Sequence, residues 1–295
     1  MLIPFDGTLD LAATLESGQA FRWRRGEEST ADEPPWLYGV LYNNAIKIRQ
    51  PEGGIEFFCS PDDEATLRPL LRDYLRLDDD LGEIYESIGL DDHMRKPIIE
   101  YPGLRILRQE PWECLISFIC SANSNIRRIA TNVEDMSNQT ARTVEIDGHV
   151  RSLFPTPDEL AEVGETMLRE MRLGFRAKYV AQVATTIAEG KLDLFALREA
   201  PYQEALDALV ELPGVGDKVA NCVMLFSLDK LESFPVDVWI RRALEEWYSD
   251  RIGSTPQKDI RAWAQGYFGR YAGYANQYMF HGRRLQGRTS SDRSS

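Results

Sequence analysis

The chain reads as an α+β protein: an antiparallel β-sheet domain with helices over residues 1–100, a helical domain over residues 101–282, and a disordered tail over residues 283–295. Three observations predict this. Strand-type segments bounded by turn residues cluster between Trp36 and Cys59. From about Tyr101 onward, apolar residues recur at helical spacing. Two of those helical runs meet at a glycine-rich turn, Leu212-Pro213-Gly214-Val215-Gly216.

The elements follow in order. Trp36 to Tyr42 and Ala45 to Arg49 flank Asn43-Asn44, a hairpin signal, and Ile55 to Cys59 makes a further strand. Ser60-Pro61-Asp62-Asp63 then opens a helix, since Ser caps and Pro suits the first helical position. Its apolar face is Leu67, Leu70, Leu71, Tyr74 and Leu75. Leu115, Ile116, Phe118 and Ile119 belong to a helix that is apolar nearly all round, as a buried central helix is. After Gly282 no apolar periodicity continues, so the tail reads as disordered.

Composition bounds the setting. A chain of 295 residues that is 43% hydrophobic can bury a sizeable core, and no apolar run approaches a membrane span. Met1 to Asp6 lacks a charged n-region and a long h-region, so a soluble, non-secreted, cytoplasmic protein without membrane partners is expected, nucleoid-associated if the source is prokaryotic. Cys59, Cys114, Cys120 and Cys222 stand far apart, which predicts neither a metal site nor a disulfide.

A net charge of -13 should repel nucleic acid. The arginines are grouped, however: Arg105, Arg108, Arg127, Arg128, Arg176, Arg241 and Arg242, with Lys178, lie away from acidic runs such as Asp78-Asp79-Asp80. A locally basic face on an acidic body fits this pattern. Lysines are few beside arginines, and the acidic balance resembles that of proteins from salt-loving archaea, where binding leans on stacking and shape because salt screens phosphate attraction.

Chemistry concentrates at the glycine turn. Gly214 and Gly216 permit positive φ and leave no Cβ between backbone and ligand, so amides can converge on an anion. The helix that starts there offers unpaired N–H groups and the positive end of its dipole to a phosphate. Lys218 stands in its first turn, where the dipole works against a cation and favours the neutral amine of a nucleophile. A surface lysine after an ordinary turn explains that segment equally well. Asp237, nineteen positions later in Phe234-Pro235-Val236-Asp237-Val238, alters the balance. It sits where an N-cap would, before an amphipathic run, and a carboxylate there can also stabilise positive charge developing on a sugar ring.

The turn, Lys218 and Asp237 together resemble the helix-hairpin-helix glycosylase superfamily. Ser17-Gly18-Gln19-Ala20-Phe21-Arg22-Trp23, Glu113 to Ser121, Asn123 to Arg128 and Leu173 to Tyr179 are similar, in order, to segments of its 8-oxoguanine DNA glycosylase branch. The likeness runs from about Leu15 to Phe280. It lacks the clustered C-terminal cysteines of the iron-sulfur members.

The resemblance implies a bifunctional enzyme of base excision repair. Lys218 would attack C1′, Asp237 would stabilise the oxocarbenium-like charge, and a Schiff base would permit β-elimination. It further implies that Asn123 fills the space left by the extruded base, that Arg128 and Arg176 contact the estranged cytosine, and that Phe175 wedges beside it. Gly18 would let a carbonyl approach N7 of the lesion, while Cys222 and Phe280 would sandwich the base. Gly214, Val215 and Gly216 would hold backbone phosphate. Asn276 stands where eukaryotic members carry Gln, and Trp239 where they carry His. The implied partner is double-stranded DNA containing oxidised guanine, bound by a monomer with no required cofactor; a monovalent or divalent cation at residues 212–216 is an optional addition in this reading. Two alternatives stand beside it: a glycosylase for alkylated or other damaged purines, which generally lacks the Lys, and a non-catalytic helix-hairpin-helix module, which needs neither Lys218 nor Asp237.

Overall fold

The computed structural model describes residues 1–27, 33–253, 255–256 and 259–292. The first part is one antiparallel sheet: β1 (Leu2–Pro4), β2 (Arg24–Arg25), β3 (Leu37–Leu41), β4 (Asn44–Arg49) and β5 (Gly54–Ser60), in the order β1-β5-β4-β3-β2. The β3–β4 turn is Tyr42-Asn43, with φ of 48° and 61°, one position earlier than the sequence suggests. Asn44 already pairs with Leu41, and its side chain donates to the Tyr42 carbonyl at 2.8 Å.

Helices α1 (Leu11–Glu16) and α2 (Glu64–Tyr74) cover the sheet through Leu11, Leu15, Leu67 and Leu71. The cap of α2 is Asp63, accepting from the Thr66 amide at 2.8 Å, whereas Ser60, the expected cap, ends β5. A carboxylate is the better acceptor at the positive end of a helix, and pairing with β4 has already claimed Ser60.

The remaining helices are α3 (Leu81–Ile88), α4 (Asp92–Glu100), α5 (Pro111–Ile119), α6 (Ile126–Ser137), α7 (Pro157–Glu170), α8 (Arg176–Ala188), α9 (Ala196–Glu199), α10 (Tyr202–Val210), α11 (Asp217–Ser227), α12 (Val238–Trp247), α13 (Ser249–Ile252), α14 (Ile260–Phe268) and α15 (Ala272–Asp292). They enclose a second core in which α5 is buried along its length. Leu81, Ile84, Ile88, Met94 and Ile98 pack in this core rather than beneath the sheet. By packing, then, α3 and α4 join the helical core although they precede residue 101, while Leu107, beyond it, packs with the sheet.

The helical part also contains a hairpin, β6 (Thr143–Ile146) and β7 (His149–Ser152). Its turn is Asp147-Gly148, both at positive φ, and the alternation of Val144 and Ile146 with polar neighbours is a period-2 signal inside helical surroundings. Val144, Ile146 and Leu153 pack on Tyr38 and Ala45, so the hairpin clasps the sheet. A second tie is ionic. Asp229 accepts from Arg76 and, at 2.7 Å, from Arg108, with Arg198 at 3.8 Å. Burial pushes the Asp229 carboxyl up, but the three guanidiniums outweigh it and hold it below the usual range.

The last helix does not stop at Gly282, where the expected disordered tail would begin. It continues to Asp292. Gly282 packs on Tyr101 and Pro97, Arg283 pairs with Glu246, and Arg284 donates to the Glu16 carbonyl at 2.9 Å. Arg283 and Arg284 thus tie the start of this extension to α12 and to the end of α1. No helix is long and apolar enough to cross a membrane among the described residues.

Candidate active site

The turn between α10 and α11 has the expected form, with one asymmetry between its glycines. Gly214 lies at φ 80°, and a Cβ there would meet the Tyr179 ring at 2.5 Å. Gly216 has φ -93°, ordinary extended backbone, with nothing near a Cβ. Only Gly214 is required by conformation and packing; Gly216 leaves the entrance to α11 open. As the N-cap of α11 Gly216 has no side chain to cap it, so the first-turn amides point at whatever anion approaches. Val215 does not fit the phosphate role through its own amide, which is spent on the Leu212 carbonyl at 3.1 Å, and its side chain is buried.

Beneath the turn, Asp217 pairs with Arg261 at 3.0 Å, Arg261 donates to the Tyr202 hydroxyl at 2.8 Å, and that hydroxyl donates to Asn221 at 2.7 Å. This chain of polar groups joins α10, α11 and α14, which fixes the direction in which α11 leaves the turn.

Lys218 follows in the first turn of α11. Its Nζ donates to Ser121 Oγ at 2.9 Å and lies 5.3 Å from the centroid of the Phe118 ring. Both partners come from α5 and the loop after it. Asp237 is the N-cap of α12, accepting from the Ile240 amide at 2.7 Å. Lys218 and Asp237 line one cavity of about 1150 Å³, together with Gly18, Asn123, Gly214, Gly216, Cys222, Asn276 and Phe280. Residues separated by more than 250 positions of chain thus face one volume. Burial pushes the Cys222 thiol up to about 11, with Lys218 pulling the other way, so the thiol stays neutral and acts as an apolar wall.

Gly18 is at φ 90°, and a Cβ would press on Ile126 at 2.6 Å. Its position is fixed by Gln19, a fully buried residue whose role the sequence did not disclose. Gln19 Nε2 donates to the carbonyls of Thr14 and Arg105, at 3.1 and 2.8 Å, and its Oε1 accepts from the Leu107 amide at 2.8 Å.

Four expected residues lie outside the cavity lining: Arg128, Phe175, Arg176 and Val215. Arg176 is buried beneath the loop that carries Asn123. It donates to the carbonyls of Ala122 at 2.7 Å, Leu173 at 2.9 Å and Asn123 at 3.0 Å. Asn123 itself is exposed at φ 48°, a conformation which that guanidinium supports from below. Arg128 is exposed and donates to the Arg172 carbonyl at 2.6 Å. Phe175 is 52% exposed and packs edge-on against Tyr179, the ring beneath Gly214. The Asn123 loop, Phe175 and the glycine turn therefore share supports.

The basic face is smaller than the sequence suggests. Arg105 is buried and donates to the carbonyls of Arg76 and Thr8, and Arg108 pairs with Asp73 and Asp229. Arg127, Arg128, Lys178 and Arg242 remain exposed, and Arg127 and Arg241 line the cavity. Ser121, Phe118 and Gln277 also line it; the sequence marked none of them as functional, because their part depends on which elements meet. Among the described residues no group of three or more His, Cys, Asp or Glu could hold a metal ion.

Comparison with known proteins gives a consistent picture. The N-terminal domain family of 8-oxoguanine DNA glycosylase matches residues 2–115, and the HhH-GPD superfamily of base excision DNA repair proteins matches residues 116–264. An N-glycosylase/DNA lyase of Arabidopsis thaliana is 34% identical over 92% of this chain and 76% of its own length. One from Saccharomyces cerevisiae is 32% identical over 86% and 72%. The 8-oxoguanine glycosylase/lyase of Clostridium acetobutylicum, solved with double-stranded DNA containing cytosine opposite 8-oxoguanine, superposes with a TM-score of 0.87 at 30% identity, covering 97% of this chain and 98% of that one. A 3-methyladenine glycosylase of Archaeoglobus fulgidus, at 19% identity and a TM-score of 0.75, shares the fold. The chain belongs to the 8-oxoguanine DNA glycosylase family within the HhH-GPD superfamily of base excision DNA repair proteins.

Proposed function

We propose that the protein excises 8-oxoguanine from double-stranded DNA and then cleaves the strand at the resulting site. The observation that carries this is Lys218 and Asp237 on one cavity, an amine and a carboxylate brought from two helix N-termini beside apolar walls at Cys222 and Phe280. A nucleophile and a charge stabiliser around one open cavity suit attack at C1′ of an extruded nucleotide. The amine of Lys218 bonds to C1′ while the glycosidic bond breaks, and the base leaves with the bonding electrons and takes up a proton. The sugar ring opens to a Schiff base with Lys218. Loss of a 2′ proton then expels the 3′ phosphate. Asp237, fixed by its bond to the Ile240 amide, faces the positive charge that develops on the sugar.

Asn123, Arg128, Phe175 and Trp239, all exposed, form the face that meets the duplex, and the amides opening α11 take a phosphate. The reaction as written needs no cofactor. Residues 212–216 carry no side-chain oxygen, nitrogen or sulfur, so a cation there would be held by main-chain carbonyls alone. The protein acts as a monomer in this reading, in the cytoplasm and on nucleoid DNA if its source is prokaryotic.

Incubation with a duplex containing one 8-oxoguanine, with borohydride present, tests the proposal. Wild-type protein should release the base and form a covalent DNA adduct. Lys218→Gln should abolish the adduct while lesion binding persists, and Asp237→Asn should slow excision with modest loss of binding. Trapping by Lys218→Gln protein would move the nucleophile elsewhere.

A further inference from the structure

Asn276 and Gln277 are consecutive on α15, and both line the cavity that holds Lys218 and Asp237. They differ in what their amides do. Asn276 Nδ2 donates to the Pro235 carbonyl at 2.8 Å, two residues before Asp237. Gln277 is 3% exposed, and its Nε2 has no hydrogen-bond partner among the described residues. An unpaired buried amide is unfavourable, and a fold retains one most readily where a ligand completes it.

We infer that Gln277 is the residue that determines which base edge the cavity accepts, while Asn276 is a positioning residue for the Asp237 loop. The inference rests on the excision reading above. A carboxamide offers one acceptor oxygen beside one donor nitrogen. That pair complements a purine edge carrying a ring N–H next to a carbonyl, the edge that 8-oxoguanine presents through N1 and O6. One of the two N–H groups of Asn276 is given to Pro235, so its amide can turn the full donor–acceptor pair to a base edge only by releasing that carbonyl. Its shorter side chain is directed at the backbone that leads into the α12 cap, so it acts on the base only through Asp237.

An abasic duplex separates the two roles, because strand cleavage there involves Lys218 and the sugar but no base. Gln277→Leu should lower excision of 8-oxoguanine roughly 100-fold, while cleavage and borohydride trapping on a preformed abasic site stay within about threefold of wild type. Gln277→Glu keeps the shape but has no donor when ionised, and should show the same base-selective loss. Asn276→Leu should reduce excision and abasic cleavage together. Equal losses on both substrates for the two Gln277 variants would make Gln277 a packing residue and overturn the inference. A base-selective loss in Asn276→Leu with Gln277 variants unaffected would also overturn it, returning the recognition role to Asn276. If wild-type protein cuts the abasic duplex yet leaves 8-oxoguanine in place, the excision reading itself fails, a result distinct from either of these.

Discussion

Lys218 Nζ donates to Ser121 Oγ at 2.9 Å, and that hydroxyl in turn donates to the Phe118 carbonyl at 2.6 Å. The first turn of α11 is thereby tied to the end of α5, a helix buried along nearly all its length. The serine fixes where the amine sits without touching DNA chemistry itself. Ser121→Ala should lower the single-turnover excision rate about tenfold, since a nucleophile loses rate when its orientation is no longer set. Affinity for a lesion duplex, followed by fluorescence anisotropy, should hardly change. A fall in affinity with an unaltered rate would contradict this assignment.

The two glycines of the turn should respond differently. Gly214→Ala puts a Cβ at φ 80° against Tyr179 and should cost about 1–3 kcal/mol in a denaturant titration, with a parallel loss of DNA affinity. Gly216→Ala meets ordinary φ and open space, so stability should stay within about 0.5 kcal/mol. The comparison is informative because the residues are two apart in one loop.

Arg176 and Arg128 separate along another line. Arg176→Met removes the donors of three backbone carbonyls and should destabilise by about 2–4 kcal/mol, releasing the Asn123 loop. Arg128→Met removes one exposed bond, so the melting temperature should hold. Excision assays with each normal base opposite the lesion should then show a weaker preference in the Arg128 variant.

His281 gives a pH dependence of known sign. Burial, aided by the nearby Arg284 charge, lowers this imidazole to about 4, so the folded protein keeps it neutral where the unfolded chain protonates it. Stability from this group is therefore complete above about pH 6.5 and is lost as pH falls toward 4, with a slope of up to about 1.4 kcal/mol per pH unit. His281→Phe retains a ring against Tyr101 and should flatten that part of the curve. An unchanged acid limb in urea titrations from pH 4 to 7 would assign the slope to other groups.

Much of the site was legible in the sequence because its parts are local. A glycine turn, an amine one turn into a helix and a carboxylate at a helix cap each carry a short-range signature, and the structure places Lys218, Asp237, Gly18, Cys222 and Phe280 on one cavity. What escaped depends on which elements meet. Arginine is written identically whether it faces phosphate or a carbonyl, so Arg105, Arg108 and Arg176 could not be recognised as internal until Arg76, Asp229 and the Asn123 loop were placed beside them. The Asn276 and Gln277 amides were likewise ambiguous, since only the position of Pro235 shows which of them is engaged. For the fold, the order of sheet and helices was evident, but the β6–β7 hairpin was hidden among longer helical signals and α15 outlasted its apolar pattern.

The packing of α15 bears on how the protein could be dissected. Its residues pack on α3 and α4, so the end of the chain closes over helices that belong to the first matched family segment. A fragment cut at residue 116 would expose the apolar faces of Leu115, Tyr278 and Met279 and leave Asp229 without Arg76 and Arg108. Chimaeras that exchange residues 1–115 with a relative's must rebuild both the helical seam and this charge cluster. The two matched segments thus share one packed and charged border, which a cut between them would break on both sides.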